Sequence, residues 1–564
     1  MRLTITACVC VVFGTTIAAR TATTYYVRAD GGTGKQCTGT ADAPYPGRGN
    51  NVPCAWSGPS WALKTPLEWK IRGGDRLLIG TGSYRMGLGG KKTGWDIFDE
   101  SHPGDVRLPP LPSGPSPAEP TILAGMEYDH GCSRKPELWG SHRASAIVDL
   151  SGTSNAMVAC LEITDHATCA AGHPELRCRV DDDSAGAGIF SKGDRGLNIA
   201  LRDLWIHGLA GAGIIGHFGS VTMDHVTLSG NGMSGWDTDV KTRGPFAPIV
   251  KIDHSIIEWN GCVEDSVTHR PAVHGCWGEG EGGYGDGIGT DSQGGSWTIT
   301  NSVIRYNTQD GLDLLYLKQP GAKLAIDAVT AYGNAGNQIK VAGESLLSNN
   351  VIIGNCSSFD GQEFSLLKGY FWEDATDYHK GDHCRANGDA LVVAVQSGVQ
   401  SRIVNNTIVG EGDFLIWGLC QNADNTACGE SSSIEIVNNV LRGFRRKGEF
   451  RNKKLGRSGE LVGSIFAENG VVRDVHHNLF FNLDTAYGNL HASCPMGKGD
   501  VCADPRFAND VLSEAFDGQL RQGSPALGAG VPIPQVVADR NGIERPKGQA
   551  YDMGAFQMPA ARPR

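Results

Sequence analysis

Asn301-Ser302-Val303-Ile304-Arg305-Tyr306-Asn307 is one copy of a short unit that recurs through the middle of the chain. Each copy opens on polar residues, continues with β-branched or other apolar residues, and is followed by a turn rich in Asn and Gly. Five copies align on a common asparagine, namely Asn231, Asn260, Asn307, Asn334 and Asn355. Further copies without that final asparagine begin at Arg202, Asn405 and Asn438.

The length of the repeat predicts a solenoid. A unit of twenty-odd residues with strands and Asn/Gly turns is typical of a coil that stacks on its neighbours. Strands of successive coils would pair in parallel, with equivalent residues ~4.8 Å apart. Stacked asparagine amides can hydrogen-bond along such a column, which explains the common asparagine. The leucine pattern of leucine-rich repeats is absent. We therefore expect an all-β fold, a right-handed parallel β-helix with an N-terminal cap and long loops.

The 564 residues exceed what one compact core usually holds, which agrees with an elongated repeat structure. We expect one continuous β-helix after a signal peptide at 1–20. Its parts would be an N-terminal cap with the first coils (21–150), central coils with the candidate active site (151–445), and C-terminal coils with a closing tail (446–564). The opening from Thr24 to Gly32 resembles that of bacterial β-helix proteins, in which a short helix caps the first coil.

The cysteines and the N-terminus indicate export. Arg2 precedes an apolar stretch from Ala7 to Ala19, which is too short to span a bilayer. Without Cys8 and Cys10, fourteen of the sixteen cysteines remain, many of them close neighbours in the sequence. This pattern predicts disulfides that close local loops, with the connectivity left open, and a secreted or periplasmic protein. We expect no insertion into a membrane.

The net charge of −11 argues against nucleic acid as a partner. A polyanionic substrate would need a local basic groove or a bridging cation to bind such a chain. We expect a monomer whose partner is an acidic polysaccharide.

The shared asparagine sets a register for the residues that follow it. Asp310 lies three positions past Asn307 and Asp313 six past it, while Lys340 lies six past Asn334. Asp313 and Lys340 should therefore stack on adjacent coils. Matching Gly285-Asp286-Gly287-Ile288 to Gln309-Asp310-Gly311-Leu312 places Asp286 beside Asp310. The register thus predicts three carboxylates and one lysine in a small patch.

Such a patch has an evident chemistry. Like charges this close repel, and a hard cation such as Ca²⁺ with oxygen ligands would relieve the repulsion. The cation would disfavour the protonated lysine and lower its pKa, so that the lysine can act as a general base. In β-elimination of a uronic-acid polymer, a base removes the C5 proton while a cation neutralises the C6 carboxylate.

The segments Asn307–Asp313 and Gly333–Gly343 resemble the polysaccharide lyase family 9 pectate lyases. In that family an Asp-Asp-Gly-x-Asp segment and an earlier aspartate bind calcium, and a lysine in a Gly-Asn-rich segment is the base. The resemblance implies Asp286, Asp310 and Asp313 as calcium ligands and Lys340 as the base. Gln309 stands where the family has the first of its paired aspartates.

Other interpretations stay open at this point. The aspartates fit ordinary turn chemistry, and Lys340 fits a surface salt bridge. A glycoside hydrolase using Asp286 and Asp310, a uronate epimerase, or a non-catalytic carbohydrate-binding protein would fit the same scaffold. Asp237 and Asp239 would either extend the acidic patch or bind substrate, or lie on a surface loop, which is the expectation. His225 and His254 are expected to be stacked structural histidines.

Overall fold

The computed structural model describes residues 21–65, 68–87, 108–141, 144–173, 175–179, 182–193, 196–238, 245–277, 285–359, 362–364, 388–422, 426–444, 461–468, 470–484, 494 and 497–559. The predicted signal peptide at 1–20 lies outside these residues, as does Asp239. The described strands form three long parallel sheets that the chain visits in turn, so that most coils contribute one strand to each sheet. The predicted parallel β-helix is confirmed.

Sheet A has 13 described strands: β1 (Thr24–Gly32), β4 (Arg76–Ile79), β6 (Thr121–Gly125), β9 (Ala156–Ala159), β12 (Ile199–Arg202), β15 (Ser220–Asp224), β18 (Ile249–Asp253), β23 (Ser296–Thr300), β26 (Lys323–Asp327), β29 (Glu344–Ser348), β32 (Gln400–Val404), β35 (Ser433–Val437) and β38 (Val472–His476).

Sheet B also has 13 described strands: β5 (Ser83–Gly87), β7 (Glu137–Ser141), β10 (Glu162–Asp165), β13 (Trp205–His207), β16 (Thr227–Ser229), β19 (Ile256–Glu258), β24 (Val303–Arg305), β27 (Thr330–Tyr332), β30 (Val351–Gly354), β33 (Thr407–Gly410), β36 (Val440–Gly443), β39 (Leu479–Phe481) and β40 (Val501–Cys502).

Sheet C has 10 described strands: β8 (Val148–Asp149), β11 (Ala187–Ser191), β14 (Ala212–Gly216), β17 (Trp236–Thr238), β22 (Ile288–Thr290), β25 (Leu312–Leu314), β28 (Ile339–Ala342), β31 (Leu391–Val395), β34 (Phe414–Cys420) and β37 (Gly463–Ala467). Two antiparallel pairs stand apart from the three sheets: β2 (Leu63–Thr65) with β3 (Glu68–Trp69), and β20 (Cys262–Asp265) with β21 (Arg270–Cys276).

The core lies between the three sheets and follows from the alternation of side chains along each strand. In sheet A, Trp297 and Ile299 of β23 point inward and are buried, while Thr298 between them is partly exposed. The same face continues in the next coil, where Leu324 pairs with Trp297 and Ile326 pairs with Ile299. Because the register is constant, inward residues form continuous apolar columns along the helix axis.

The common asparagines form the predicted ladder, with one exception. The side-chain amide of Asn260 donates to Asn307 Oδ1 at 2.8 Å, and that of Asn307 donates to Asn334 Oδ1 at 2.8 Å. Asn334 then donates to Gln338 Oε1 at 2.9 Å. Asn355 therefore does not extend this column, because Gln338 closes it from within the same turn. Instead, Asn355 Oδ1 accepts the backbone N–H of Gly333.

A second ladder lies at the corner between sheets A and B and was not anticipated as a ladder. The amide of Asn350 donates to Asn406 at 2.9 Å, Asn406 to Asn439 at 3.0 Å, and Asn439 to Asn478 at 3.0 Å. Asn406 and Asn439 belong to the copies that begin at Asn405 and Asn438, and Asn350 belongs to the copy that ends at Asn355. Asn478 lies outside the copies recognised in the sequence.

The same corner requires a left-handed backbone in each coil, and His254 adopts it with a φ of 46°. The rings of His225 and His254 lie 5.0 Å apart at an interplanar angle of 2°. The expected stacking of these two histidines is confirmed.

Local disulfides close loops, as the cysteine spacing predicts. Six join described cysteines: Cys37–Cys54, Cys132–Cys160, Cys169–Cys178, Cys262–Cys276, Cys420–Cys428 and Cys494–Cys502. Their sequence separations run from 8 to 28 residues, so each ties one loop or one coil to the next. Cys356 is also disulfide-bonded.

The N-terminal residues include a short helix, and the C-terminal tail returns along the solenoid. In the described N-terminal residues, a short 3₁₀ helix (Pro59–Ala62) and the β2–β3 pair stand where the resemblance implies a capping helix. At the other end, the tail after β40 runs back along the asparagine corner, where Asn405 donates to Asp552 O and Asn438 to Val531 O. A second 3₁₀ helix covers Cys356–Phe359. None of the helices in the described part of the chain is long and apolar enough to cross a bilayer.

Candidate active site

The candidate site is built on adjacent strands of sheet C. Asp313 of β25 pairs directly with Lys340 of β28, as the asparagine register predicts. The residues that flank Asp313, Leu312 and Leu314, are fully buried in the core. Because side chains alternate along a strand, Asp313 and Lys340 point away from the core. Their side chains remain only 15% and 17% exposed, so the pair lies in a sheltered position.

Lys340 lies between two carboxylates. Its Nζ donates to Asp310 Oδ2 at 2.8 Å and to Asp313 Oδ2 at 3.1 Å. The side chain of Asp310 is 1% exposed, so this contact is shielded from solvent and weakly screened by salt. The low exposure of Lys340 and Asp310 distinguishes this ion pair from exposed surface pairs, which contribute little to stability.

Asp286 and Asp310 occupy the turn that enters sheet C, one coil apart. The backbone N–H of Asp310 donates to Asp286 Oδ1 at 2.9 Å. In the next coil, Asn337 donates to Asp310 Oδ1 from its backbone at 2.7 Å and from its side chain at 3.0 Å. The backbone of Asp389 donates to Asn337 Oδ1 at 3.0 Å. Asp286 and Asp310 are thus neighbours, as predicted, and both belong to a column of stacked turn residues.

Sequence reasoning assigned no role to two members of this column, Asn337 and Asp389. Asn337 lies three positions past Asn334, the same offset as Asp310 from Asn307, so the register contained the signal. Asp389 follows a long insertion after Asn355, and the insertion breaks the count on which the register depends. Its Oδ1 accepts the backbone N–H of Phe414 in the following coil, which continues the stack.

The pKa values of the cluster are strongly perturbed. Burial raises the pKa of Asp286 well above its usual value, and the charges of Asp310 and Asp313 raise it further. Burial also raises the pKa of Asp313, although Lys340 opposes the shift. Perturbed groups of this kind concentrate at functional sites.

In the cation-free chain, the pKa of Lys340 is raised. Burial lowers it, but the charges of Asp310 and Asp313, together with their hydrogen bonds, outweigh burial and raise it well above its usual value. Lys340 is therefore protonated here, and it can act as a base only if the carboxylates around it are neutralised. The predicted lowering depends on a bound cation, so it stays a prediction for the calcium-bound chain.

The oxygen atoms of this cluster are of the type that binds a hard cation such as Ca²⁺. Oδ2 of Asp310 and Oδ2 of Asp313 flank the Lys340 ammonium, which stands where a cation shared by both would stand. Gln309 Oε1 is buried and has no hydrogen-bond partner in the described part of the chain, and amide oxygens are calcium ligands. However, Asp286, Asp310 and Asp313 are not among the described side-chain sets that converge within 4.8 Å. Calcium would therefore need the lysine to withdraw and the carboxylates to close up.

Asp237 belongs to the same surface column, which corrects its predicted placement on a loop. It lies on β17 and pairs with Gly289, which pairs with Asp313. Asp237 is thus two rungs from Asp313, or ~10 Å along the axis. Gly289 keeps the intervening rung free of a side chain, and a Cβ there would lie 3.1 Å from Asp286 Oδ2.

No family model and no curated protein matches the chain. Solved structures with a similar fold include the pectate lyase Pel9A, at 15% identity, a TM-score of 0.42, and coverage of 95% of this chain and 97% of that one. The A-module of the mannuronan C-5 epimerase AlgE4 from Azotobacter vinelandii matches at 12% identity and a TM-score of 0.36, with coverage of 65% of this chain and 86% of that one. The PL6 family alginate lyase AlyGC matches at 12% identity and a TM-score of 0.35, covering 77% and 51%. Similarity at this level does not extend to activity.

Replacing Asp286 by Asn is expected to stabilise the protein in the absence of calcium. The amide retains an oxygen for the Asp310 N–H and removes one of three neighbouring negative charges. Because the folded pKa of Asp286 is raised, the wild type loses stability as the pH rises above the unfolded value, whereas Asn does not titrate. The gain should be absent near about pH 3 and reach about 1–3 kcal/mol at neutral pH, the size of one like-charge pair at an effective dielectric of ~20.

Thermal unfolding of Asp286→Asn and wild type, measured with EDTA across this pH range, checks the expectation. Asp474→Asn is a suitable control, because Asp474 is an exposed carboxylate on sheet A and its replacement should change little. A variant that is less stable than wild type at neutral pH would contradict the proposed charge repulsion.

Proposed function

We propose that this chain is a secreted, Ca²⁺-dependent polysaccharide lyase that cleaves a uronic-acid polymer of the pectate type by β-elimination, with Lys340 as the base. The observation that carries the proposal is the contact of Lys340 Nζ with Asp310 and Asp313 on the outer side of sheet C. An amine bracketed by carboxylates offers a cation site, and Lys340 would accept a proton once those carboxylates are neutralised.

The reaction needs one base and one leaving oxygen. Neutral Lys340 would take the C5 proton of the uronate, and the electron pair of that C–H bond would form the double bond between C4 and C5. The C4–O4 bond would break with its electrons on the departing oxygen, which then takes up a proton. No water attacks, and the lysine returns its proton to solvent. Such general-base catalysis contributes about 10²–10⁴-fold in rate.

Calcium would be held by Asp286, Asp310 and Asp313, with the amide oxygen of Gln309 as a further donor. When bound, it supplies charge neutralisation of the substrate carboxylate, which makes the C5 proton more acidic. The same carboxylates hold Lys340 protonated in the cation-free chain. If calcium engaged these carboxylates, Lys340 would be released to act as a base. Lyase activity should therefore require bound calcium.

A glycoside hydrolase using Asp286 and Asp310 is less well supported. A hydrolase needs two carboxyl groups on either side of the glycosidic bond. Asp286 and Asp310 are 2% and 1% exposed. Both oxygens of Asp310 are engaged, one with Asn337 and one with Lys340. A uronate epimerase would share the proton abstraction and differs only in returning the proton to the opposite face.

The disulfides support export of the protein from the cytoplasm. Six of them join cysteines among the described residues, and structural disulfides on this scale are typical of oxidising compartments. An acidic polysaccharide outside the cell is the partner that this placement favours.

The test is an incubation of the purified protein with a panel of uronate polymers, including polygalacturonate and alginate. We expect the ultraviolet absorbance of an unsaturated uronate to rise with Ca²⁺ and to fall at least about 100-fold with EDTA. Mg²⁺ serves as the control cation, because it demands a tighter octahedral geometry. Activity undiminished by EDTA would refute the calcium requirement. Reducing ends without the absorbance would indicate hydrolysis, and inverted C5 without cleavage would indicate epimerisation.

A further inference from the structure

A cluster of two imidazoles and a carboxylate lies on sheet B, away from the candidate active site. Nδ1 of His207 and Nδ1 of His269 each lie 2.9 Å from Glu264 Oε1. The ligand atoms of all three side chains lie within 4.8 Å of one another. His207 and Glu264 are almost fully buried, with side-chain exposures of 1% and 5%. The third, His269, is 43% exposed.

The cluster is brought together by a hairpin that leaves the solenoid. Glu264 lies on β20, and His269 precedes β21 in the connecting turn. The Cys262–Cys276 disulfide closes the base of this hairpin. His207 ends β13 of the solenoid itself. The hairpin thus places its carboxylate and its imidazole onto a histidine that the β-helix holds rigidly.

The backbone is shaped to admit Glu264. A Cβ on Gly230 would lie 2.6 Å from Glu264 Oε2, closer than side-chain packing tolerates. Gly230 has a positive φ of 61°, which glycine adopts without strain. The carboxylate therefore enters a space that exists only because this position lacks a side chain.

His207 is oriented from its other side. Its Nε2 lies 3.2 Å from Glu162 Oε1 of β10, and the ring of Trp205 stacks on the imidazole with centroids 3.7 Å apart. A carboxylate on the far nitrogen is the arrangement that fixes the tautomer and ring orientation of metal-binding histidines.

The cluster opens onto a cavity of about 1040 Å³. Glu264 and His269 line it, together with Trp205, Trp259 and Arg305. A site with three protein ligands and an open position facing a cavity is the form that metal ions take when they bind an exogenous ligand.

We propose that His207, Glu264 and His269 form a metal site of the class that binds Zn²⁺, with its open position facing this cavity. Two imidazole nitrogens with one carboxylate oxygen suit zinc and its first-row neighbours, whereas calcium takes oxygen ligands only. At metal–ligand distances of about 2.0–2.2 Å, a tetrahedral ion separates its ligands by about 3.3 Å. The present Nδ1–Oε1 contacts of 2.9 Å are shorter than this separation, so both imidazoles would move away from Glu264 when the ion binds. The proton on each Nδ1 would leave to solvent or to the other ring nitrogen.

The site is independent of the proposed lyase activity, because it lies on a different sheet and uses different residues. The test uses untagged, full-length, disulfide-bonded protein, stripped with EDTA and dialysed against Zn²⁺ with excess Ca²⁺ present to fill oxygen sites. We expect one zinc per wild-type chain and a zinc-dependent rise in melting temperature, as mass action requires. Substitution of Co²⁺ should give the visible absorption of a four-coordinate ion.

Two variants remove ligands without threatening the core. His269→Ala alters a half-exposed turn residue, and Glu264→Gln keeps the shape of the buried side chain. Both should reduce bound zinc at least about tenfold and abolish the zinc-dependent melting shift. Glu162→Gln should weaken zinc binding by about 10–100-fold while leaving the stoichiometry intact.

His254→Gln is the matched control, since His254 is an exposed histidine beside Asp253 and stacked on His225. It should bind zinc like wild type, and so should Lys340→Ala. The proposal is overturned if wild-type protein retains no zinc after dialysis, or if His269→Ala retains as much as wild type. Loss of zinc in His254→Gln with retention in Glu264→Gln would assign the metal to the exposed histidines instead.

Discussion

Lys340→Ala is expected to lower the rate of uronate cleavage by about 10²–10⁴-fold, the usual contribution of a general base. No other amine contacts Asp310 or Asp313 in the described part of the chain, so no neighbouring lysine can take over. The loss should appear in kcat, because a base acts on the transition state and contributes little to ground-state binding. Initial rates at saturating polymer and saturating Ca²⁺ measure it.

Removing Lys340 also leaves the two sheltered carboxylates without their counter-charge. The effect of the substitution on protein stability must therefore be measured separately from its effect on the reaction rate. Lys340→Met keeps the length of the side chain, and melting temperatures taken with Ca²⁺ show whether each variant is folded. Lys323→Ala is the matched control, because Lys323 also faces a carboxylate one coil away, Glu344, at 3.5 Å. Both side chains of that pair are well exposed, and the control should retain full activity. A Lys340→Met variant that is folded and as active as wild type would remove Lys340 from the mechanism.

Asn307→Ala is expected to destabilise the protein by about 3–5 kcal/mol, since its side chain is the middle of a fully buried ladder. Oδ1 of Asn307 accepts both the side-chain and backbone N–H groups of Asn260, and its amide donates to Asn334 and to Ile257 O. Alanine removes these four hydrogen bonds from the buried ladder. The Asn260 amide keeps a bond to Leu228 O, and Asn334 Oδ1 keeps the backbone N–H of residue 307, while the other buried groups lose a partner at a cost of about 1–3 kcal/mol each. The coil that carries Asp310 and Asp313 starts at this residue, so the site should also lose order.

The measurement is the melting temperature and the denaturant midpoint of Asn307→Ala beside wild type. Asn541→Ala provides the control, because Asn541 is exposed and such surface changes usually stay within about 0.5 kcal/mol. Equal effects of the two substitutions would mean that the ladder contributes no more than a surface asparagine.

The fold and the Asp313–Lys340 pair could be predicted because both follow from one count along the chain. The asparagine column fixes the register, and a one-residue error would have turned every side chain to the opposite face. The pKa of Lys340 in the cation-free chain could not be predicted, since its direction depends on a 2.8 Å contact with Asp310 that the register alone does not give. Burial and charge act on the lysine in opposite directions, and only the distances decide which is larger.

The cluster at His207 could not be predicted from the sequence, for a different reason. Glu264 and His269 lie on a hairpin that interrupts the repeat between β19 and β22, so the coil count assigns them no neighbours. Glu162 contacts the same histidine from β10, which lies one coil before β13, the strand that carries His207. The spacing of 207, 264 and 269 matches no short metal motif. Only the three-dimensional path of the hairpin brings these residues together.

Within each of the two asparagine columns, all the hydrogen bonds between side chains run in the same direction along the solenoid. Each amide in the second column passes its N–H toward the coil that follows it in sequence, from Asn350 through Asn406 and Asn439 to Asn478. Aligned bond dipoles of this kind add rather than cancel, as they do along an α-helix axis. The far end of the row should therefore carry a partial positive potential, and the backbone N–H of Asn478 meets the carboxylate of Asp500 there at 2.8 Å. A carboxylate at that end is therefore placed where it interacts favourably with the positive end of the row.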